Sequence, residues 1–429
     1  MTRRATAATA VRAATAVRAA TALRRTTAVR GTTAVRAATA VRRAPAVRAA
    51  TAACLAVAAL VAAAPPAPPT ARLDQDTEAV HRAGAVGAAA VLDTASGTAT
   101  AHSGTADTRT GRPMRPDDHY RAGSTLKTFI ATVVLQLVGE GRLSLSDPVE
   151  KWLPGVVSGN GNDGRRITVR MLLQHTSGVP NVTRLPELLP ALYSADGYYR
   201  NRFRHYTAEE LVAAAMRHPP DFEPGTGYRY SNTGYLIAGM IIEKVTGHGW
   251  RTEVRDRLIR PLRLTGTSLP GDTPVLPAPY AHGYHSYAGG GGGPVDTTLF
   301  NGTAADAAGD LVTTPHDVNR LFTALLTGRL LRPAELDEMR RTVPMPGEPG
   351  RSVGLGLETT PLSCGGFYWH HGGNALGYSS ENGVTTDGRR AVTVATNSFD
   401  EADEARQDAA DRAVKELIDN ALCGRPAKP

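Results

Sequence analysis

The stretch Ala122-Gly123-Ser124-Thr125-Leu126-Lys127-Thr128-Phe129 reads as a turn feeding a long apolar helix, with a serine at the helix mouth and a lysine three residues on. Apolar residues recur at Leu126, Phe129, Ile130, Val133, Val134 and Leu137, the spacing of a buried helix face. Gly139 and Gly141 supply the stop. Residues three apart share a helix face, so the Lys127 amine can reach the Ser124 hydroxyl. Backbone N–H groups at a helix start favour developing negative charge. A hydroxyl, an amine and unpaired N–H donors are the parts of an activated nucleophile. The bland reading makes Ser124 an N-cap and Lys127 a solvated residue. With five lysines and 16 serines in 429 residues, a chance S-x-x-K is expected about 0.2 times.

The formal net charge of +8 suggests nucleic acid or a membrane surface, but its distribution argues against both. Residues 1–64 carry 11 Arg, no Lys and no acid, which leaves 37 basic against 40 acidic residues in the body. Residues 1–50 repeat Ala-Thr-Ala-Val-Arg and have little apolar face to bury. A compact apolar run follows at 51–64, then Pro65-Pro66, the layout of a secretory signal peptide with cleavage near residues 62–71. The run is too short to span a bilayer stably. Cys54 precedes most of it, against a lipid-anchor site. The expectation is a secreted protein. Its two body cysteines, Cys364 and Cys423, are then either a disulfide or two buried thiols.

The rest of the chain reads as α+β. After a linker over 65–75 and a helix over 78–85, two strands flank a turn at 94–97. Residues 144–270 are largely helical, with helices over 142–154, 167–175, 207–216, 235–246 and 252–259, the last stopping before Pro261. Residues 271–303 read as loop, and the glycine run at 289–293 lacks the Lys-Ser/Thr of a phosphate cradle. Two helices, over 317–326 and 333–341, precede strands over 353–359, 366–371, 378–385 and 391–397 and a closing helix over 401–422. The predicted architecture is an antiparallel sheet of five or more strands flanked by helices. Residues 1–71 form the leader, 72–143 and 300–429 the α/β part, and 144–299 a mostly helical insertion.

Two later clusters can complete a site. Tyr230 and Asn232 precede a helix; a phenol beside an ammonium has its phenolate favoured, and an Asn amide can hold a substrate amide. Blandly, Tyr230 packs and Asn232 caps the helix. His370-His371-Gly372-Gly373-Asn374 lies where a strand is expected, and glycine lets a ligand approach the strand backbone. A metal site is disfavoured because no Cys or carboxylate sits at ligand spacing.

S-x-x-K, Y-x-N 106 residues after the serine and H-x-G 141 residues after the tyrosine stand in fixed order. This arrangement resembles the serine β-lactamase and penicillin-binding-protein superfamily, on the class C branch. The segments at 167–178, 230–235 and 308–314 fit the same branch, and the likeness covers about residues 78–425. Within it the chain is most similar to secreted serine-type D-alanyl-D-alanine carboxypeptidases of actinomycetes. The resemblance implies a β-lactamase/transpeptidase-like fold and a monomeric exported hydrolase acting on peptidoglycan peptides. It implies neither cofactor nor metal, and β-lactams as inhibitors. It makes Ser124 the acylated nucleophile, Lys127 its base, and Tyr230 the proton shuttle. Asn232 would hold the substrate amide, and the Ser124 and Asn374 N–H groups would form the oxyanion hole beside Gly373. It also pairs Cys364 with Cys423. His371 stands where many relatives carry Lys, giving a weaker, pH-dependent positive charge. Two positions depart from the carboxypeptidase pattern. Glu358 follows Gly354-Leu355-Gly356-Leu357 where an Arg would bind a terminal carboxylate, and Gly372 replaces a hydroxyl-bearing Thr. These departures leave open an esterase, amidase, β-lactamase or D-amino-acid peptidase on the same machinery; a rival of another class is a non-catalytic penicillin-binding sensor, against which the intact Ser124, Lys127 and Tyr230 argue.

Overall fold

A computed structural model describes residues 70–188, 194–289 and 293–425. The Arg-rich leader, the apolar run with Cys54, the cleavage region and residues 290–292 lie outside the described residues.

The predicted central helix forms at Leu126–Gly139. Its sequence pattern marks one apolar stripe, yet burial extends around it. Leu126, Phe129, Ile130, Val133, Val134 and Leu137 are fully buried, and so are Lys127, Thr128 and Thr132. A helix covered on every side lies at the centre of its fold. Each large apolar side chain contributes about 1.5–3 kcal/mol by leaving water. The threonines are satisfied locally: Thr128 Oγ1 donates to Gly356 O and Thr132 Oγ1 to Thr128 O, both at 2.7 Å.

The sheet is antiparallel and unites both ends of the body. Gly87–Thr94 pairs with Gly97–Asp107 on one side and Ala391–Thr396 on the other. Beyond Ala391–Thr396 lie Tyr378–Thr385, Phe367–His370 and Glu358–Pro361. Short strands extend both edges, and Gly373–Ala375 pairs separately with Tyr378–Thr385, giving ten strands. Helices Thr70–Arg82 and Glu404–Cys423 cover one face through Leu73, Val80, Leu417 and Ile418. The opposite face joins the core of the central helix. Among the described residues no helix is long and apolar enough to cross a membrane.

Local chemistry moves several boundaries. The first helix starts at Thr70, inside the expected linker. Residues 353–359 are not one strand. Gly356 adopts φ +67°, which separates Ser352–Val353 from Glu358–Pro361 and lays a turn against the central helix. The helix expected to stop before Pro261 continues through Arg260–Leu262, after a widened turn at Arg255–Ile259. The expected loop at 271–303 contains Tyr284–Ser286 and Val295–Asp296, which pair with each other, while Ser398–Asp400 runs parallel to the first.

Cys364 and Cys423 are disulfide-bonded across 59 residues. Closing a loop of that size stabilises by roughly 4 kcal/mol on the chain-entropy account. A Cys364→Ser/Cys423→Ser variant should lose about that much in denaturant unfolding, and reductant should shift only the wild type. Equal midpoints with and without reductant would refute the contribution.

Candidate active site

The nucleophile turn is held by two glycines. Gly123–Thr125 forms a 3-10 turn, and Ser124 makes no side-chain capping bond at the helix start, so the N-cap reading fails. Gly123 adopts φ +51° and lies against the Asn374 backbone. A Cβ on Gly373 would run into the Ala122 carbonyl oxygen and come within 2.7 Å of Ser124 N. Two backbones therefore cross with only hydrogens between them, which sets the N–H groups of Ser124 and Asn374 beside one another. This is the donor pair an oxyanion requires.

Lys127 is fully buried. Its Nζ lies 3.0 Å from Ser124 Oγ, 2.8 Å from Asn232 Oδ1 and 2.6 Å from Ala308 O. Burial pushes its pKa well below that of an ordinary lysine, and the charge of Glu358 pulls only partly the other way. The partners then assign the protons. Two of them are carbonyl oxygens that can only accept, so each takes an N–H of the amine. The third is a hydroxyl, which accepts from the ammonium and can donate to the lone pair once the amine is deprotonated. Asn232 does not cap its helix by a side-chain bond. Its Nδ2 donates to Thr183 Oγ1 at 2.9 Å and to Asn181 Oδ1 at 3.3 Å, which fixes its carbonyl toward the lysine.

Tyr230 meets this centre from the far side. Its ring centroid is 5.0 Å from Lys127 Nζ, 4.3 Å from the His175 ring and 6.4 Å from the His371 ring. His175 was not assigned a role from sequence. It adopts φ +59°, an uncommon conformation for a non-glycine residue, and its Nδ1 accepts from Ser231 N–H at 3.2 Å. It thus sets the course of the Tyr230 segment. Burial drives its pKa well down, with the Lys127 charge adding.

His371 is buried, and this changes the sequence expectation. Burial lowers its pKa despite the attraction of Glu358, so it is a neutral ring at neutral pH instead of a cation. Nδ1 lies 2.8 Å from Gly372 O and carries the hydrogen, which leaves Nε2 as an acceptor. His370 is pushed down to about 4, mainly by burial. Glu358 sits under this strand opposite His370. Burial opposes its charge, but His371, His370 and Arg351 hold its carboxyl below the usual range. An arginine does stand here: Arg351 bonds Glu358 at 2.8 Å and Glu348 at 3.4 Å, so two carboxylates match its charge. Gly372 has its own reason: a Cβ there would strike the Glu381 carboxyl. Burial, with Glu358 and Asp411 adding, pushes that carboxyl up to about 7.

A cavity of about 320 Å³ opens beside Ser124, between Asn232 and Asn374, with Val182, Leu236 and Phe300 among its apolar walls. Tyr230, His371 and Glu358 are not among its lining residues.

The chain is similar to several known proteins. The chain is 33% identical over 155 residues to "Penicillin-binding protein 4" of Amycolatopsis lactamdurans, and 28% identical over 180 residues to "Protein flp" of Staphylococcus aureus. These matches cover 36% and 38% of the chain but only 37% and 34% of those curated relatives. Among solved structures it is similar to a D-stereospecific amidohydrolase from Streptomyces sp., with 40% identity and a TM-score of 0.75 over 83% of this chain and 99% of that one. The D-amino acid amidase of Ochrobactrum anthropi SV3, complexed with D-phenylalanine, has 30% identity and a TM-score of 0.70 over 82% and 97%. The family profile described as Beta-lactamase matches residues 70–416, and the chain belongs to this family of serine β-lactamase and penicillin-binding-protein relatives.

Proposed function

We propose that the protein is an exported serine amidohydrolase that transfers a D-aminoacyl group from an amide, peptide or ester to Ser124 and then to water. The carrying observation lies at the leaving-group end. His371 is a neutral ring there, and Arg351 is already matched by Glu358 and Glu348. No unmatched cation among these groups meets a free terminal carboxylate, as strict carboxypeptidase action requires. The cavity size supports a small acyl group, since about 320 Å³ is at the low end for ligand pockets. The likeness to a D-stereospecific amidohydrolase and a D-amino acid amidase points the same way. The disulfide suits an oxidising compartment, in line with export.

In acylation, Ser124 Oγ attacks the carbonyl carbon as its proton moves to Lys127 Nζ. The oxyanion is held by the N–H groups of Ser124 and Asn374. The proton passes by way of Tyr230 to the leaving nitrogen, and the C–N bond breaks. Water then attacks the acyl carbon and passes a proton to Tyr230 and Lys127, and that proton returns to Ser124 Oγ as the ester C–O bond breaks and the acid leaves.

A second reading, D-alanyl-D-alanine carboxypeptidase, is favoured by the presence of Arg351 beside the site. Ammonia release from D- and L-phenylalaninamide should be compared with D-alanine release from a peptide ending in D-Ala-D-Ala, with Ser124→Ala as control. The proposal expects D-amide turnover at least tenfold faster than either alternative, and none in the control. Faster D-alanine release would replace it with the carboxypeptidase. No turnover of either, with no penicillin adduct on Ser124 by mass spectrometry, would leave a non-catalytic binding protein.

A further inference from the structure

We propose that the cavity beside Ser124 contains an ammonium subsite, in which the Glu401 carboxylate, steadied by His285, takes the free amino group of the acyl donor. This rests on the D-aminoacyl reading above. Two carboxylates line the cavity, Asp310 and Glu401. Asp310 is fully buried, and its Oδ2 takes bonds from Arg251 and the Gly271 N–H, each at 2.8 Å, while its Oδ1 packs against Gly302. Glu401 is partly exposed, and its backbone is pinned by its N–H to Ser286 O at 2.8 Å.

His285 explains how that carboxylate is held. The Gly377 N–H donates to His285 Nδ1 at 3.2 Å, so the neutral ring carries its hydrogen on Nε2. Nε2 is buried without a hydrogen-bond partner and lies 3.4 Å from Glu401 Oε2. The ring has Tyr287 at 4.2 Å and Phe399 at 5.6 Å. Nε2 thus comes within 3.4 Å of one carboxylate oxygen without a hydrogen bond between them, which leaves the carboxylate's acceptor positions to a ligand. Gly377 belongs to the turn after Gly373–Ala375, so the same histidine links this subsite to the strand that carries the oxyanion donor.

The cavity's cations do not compete for Glu401. Arg121 is 3% exposed and donates to the carbonyls of Pro274, Thr298 and Phe300. Arg202 lies among the rings of Tyr198, Tyr199 and Phe203, at 4.8–5.3 Å. An anionic acyl donor would be drawn to Arg202, which defines the rival result.

Kinetics on the p-nitroanilides of D-alanine, N-acetyl-D-alanine and N-succinyl-D-alanine test the proposal. Wild type should favour the free amine by at least 100-fold in kcat/KM. Glu401→Gln should cut that preference at least tenfold through KM, with thermal melting confirming its fold. His285→Phe should raise KM for the free amine more than for the acetylated donor. Inhibition of wild type by D-alaninamide but not by D-lactamide gives the same answer without a variant. Equal rates for the free and acetylated donors, a preference for the succinyl donor, or an unchanged ratio in Glu401→Gln would overturn the subsite. Cleavage of D- but not L-donors regardless of the amino group removes the subsite alone. Cleavage of no D-donor removes the D-aminoacyl reading with it.

Discussion

Lys127→Met should lower kcat by about 10³–10⁴ while leaving the protein folded. The side chain is fully buried and its amine is the group within 3.0 Å of Ser124 Oγ, so the substitution removes the base. Methionine fills similar space without a charge to desolvate. Asn232 Oδ1 and Ala308 O each lose a donor, which costs about 1–3 kcal/mol apiece, and new apolar burial offsets part of this. The pH profile separates catalysis from damage. A base acts when deprotonated, so wild-type kcat/KM rises with pH through the lysine's pKa and stays high above it. Because burial lowers that pKa from the ordinary lysine value, the acid limb should fall below the pH at which a solvated lysine titrates. The variant should lose this acid limb together with penicillin labelling. A variant within tenfold of wild type would remove Lys127 from the mechanism.

The second large effect is expected at Gly373. A Cβ there collides with the Ala122 carbonyl oxygen and comes within 2.8 Å of Thr125 N. The strand must withdraw, and the Asn374 N–H moves away from the oxyanion. Losing one such donor lowers kcat by about 10²–10³, and overpacking adds about 1–3 kcal/mol of destabilisation. Gly249→Ala is the control, since its Cβ meets nothing within 4 Å. Gly373→Ala should fail in acylation with Lys127 and Tyr230 intact, seen as a slower penicillin adduct in mass spectrometry. Unchanged acylation would mean that the crossing glycine does not set the oxyanion site.

The parts of this site legible in the sequence were those written as short spacings. Ser124 and Lys127 share a helix face at i, i+3, and burial of that helix follows from its apolar positions. The sheet strand at 391–396 was readable because its run of Ala, Val and Thr has few alternatives. What stayed hidden depends on chain segments distant in sequence. Ala308 contributes a carbonyl oxygen, which no residue type announces. His175 acts through a positive φ that a histidine letter does not suggest. Gly372 read as the loss of a hydroxyl, whereas its cause is the Glu381 carboxyl packed against it. The charge expected on His371 failed because titration follows burial, which one position cannot reveal.

The Cys364–Cys423 bond turns the last part of the body into a covalent ring. The ring encloses the His371–Asn374 segment, the Tyr378–Thr385 and Ala391–Thr396 strands, and Glu401. A single backbone cut inside it, for example in the exposed turn at Asp387 and Gly388, yields two pieces that remain one molecule until reduced. Half of the catalytic cleft is therefore insured against one proteolytic event, whereas the Ser124 half, on the open part of the chain, has no such tether.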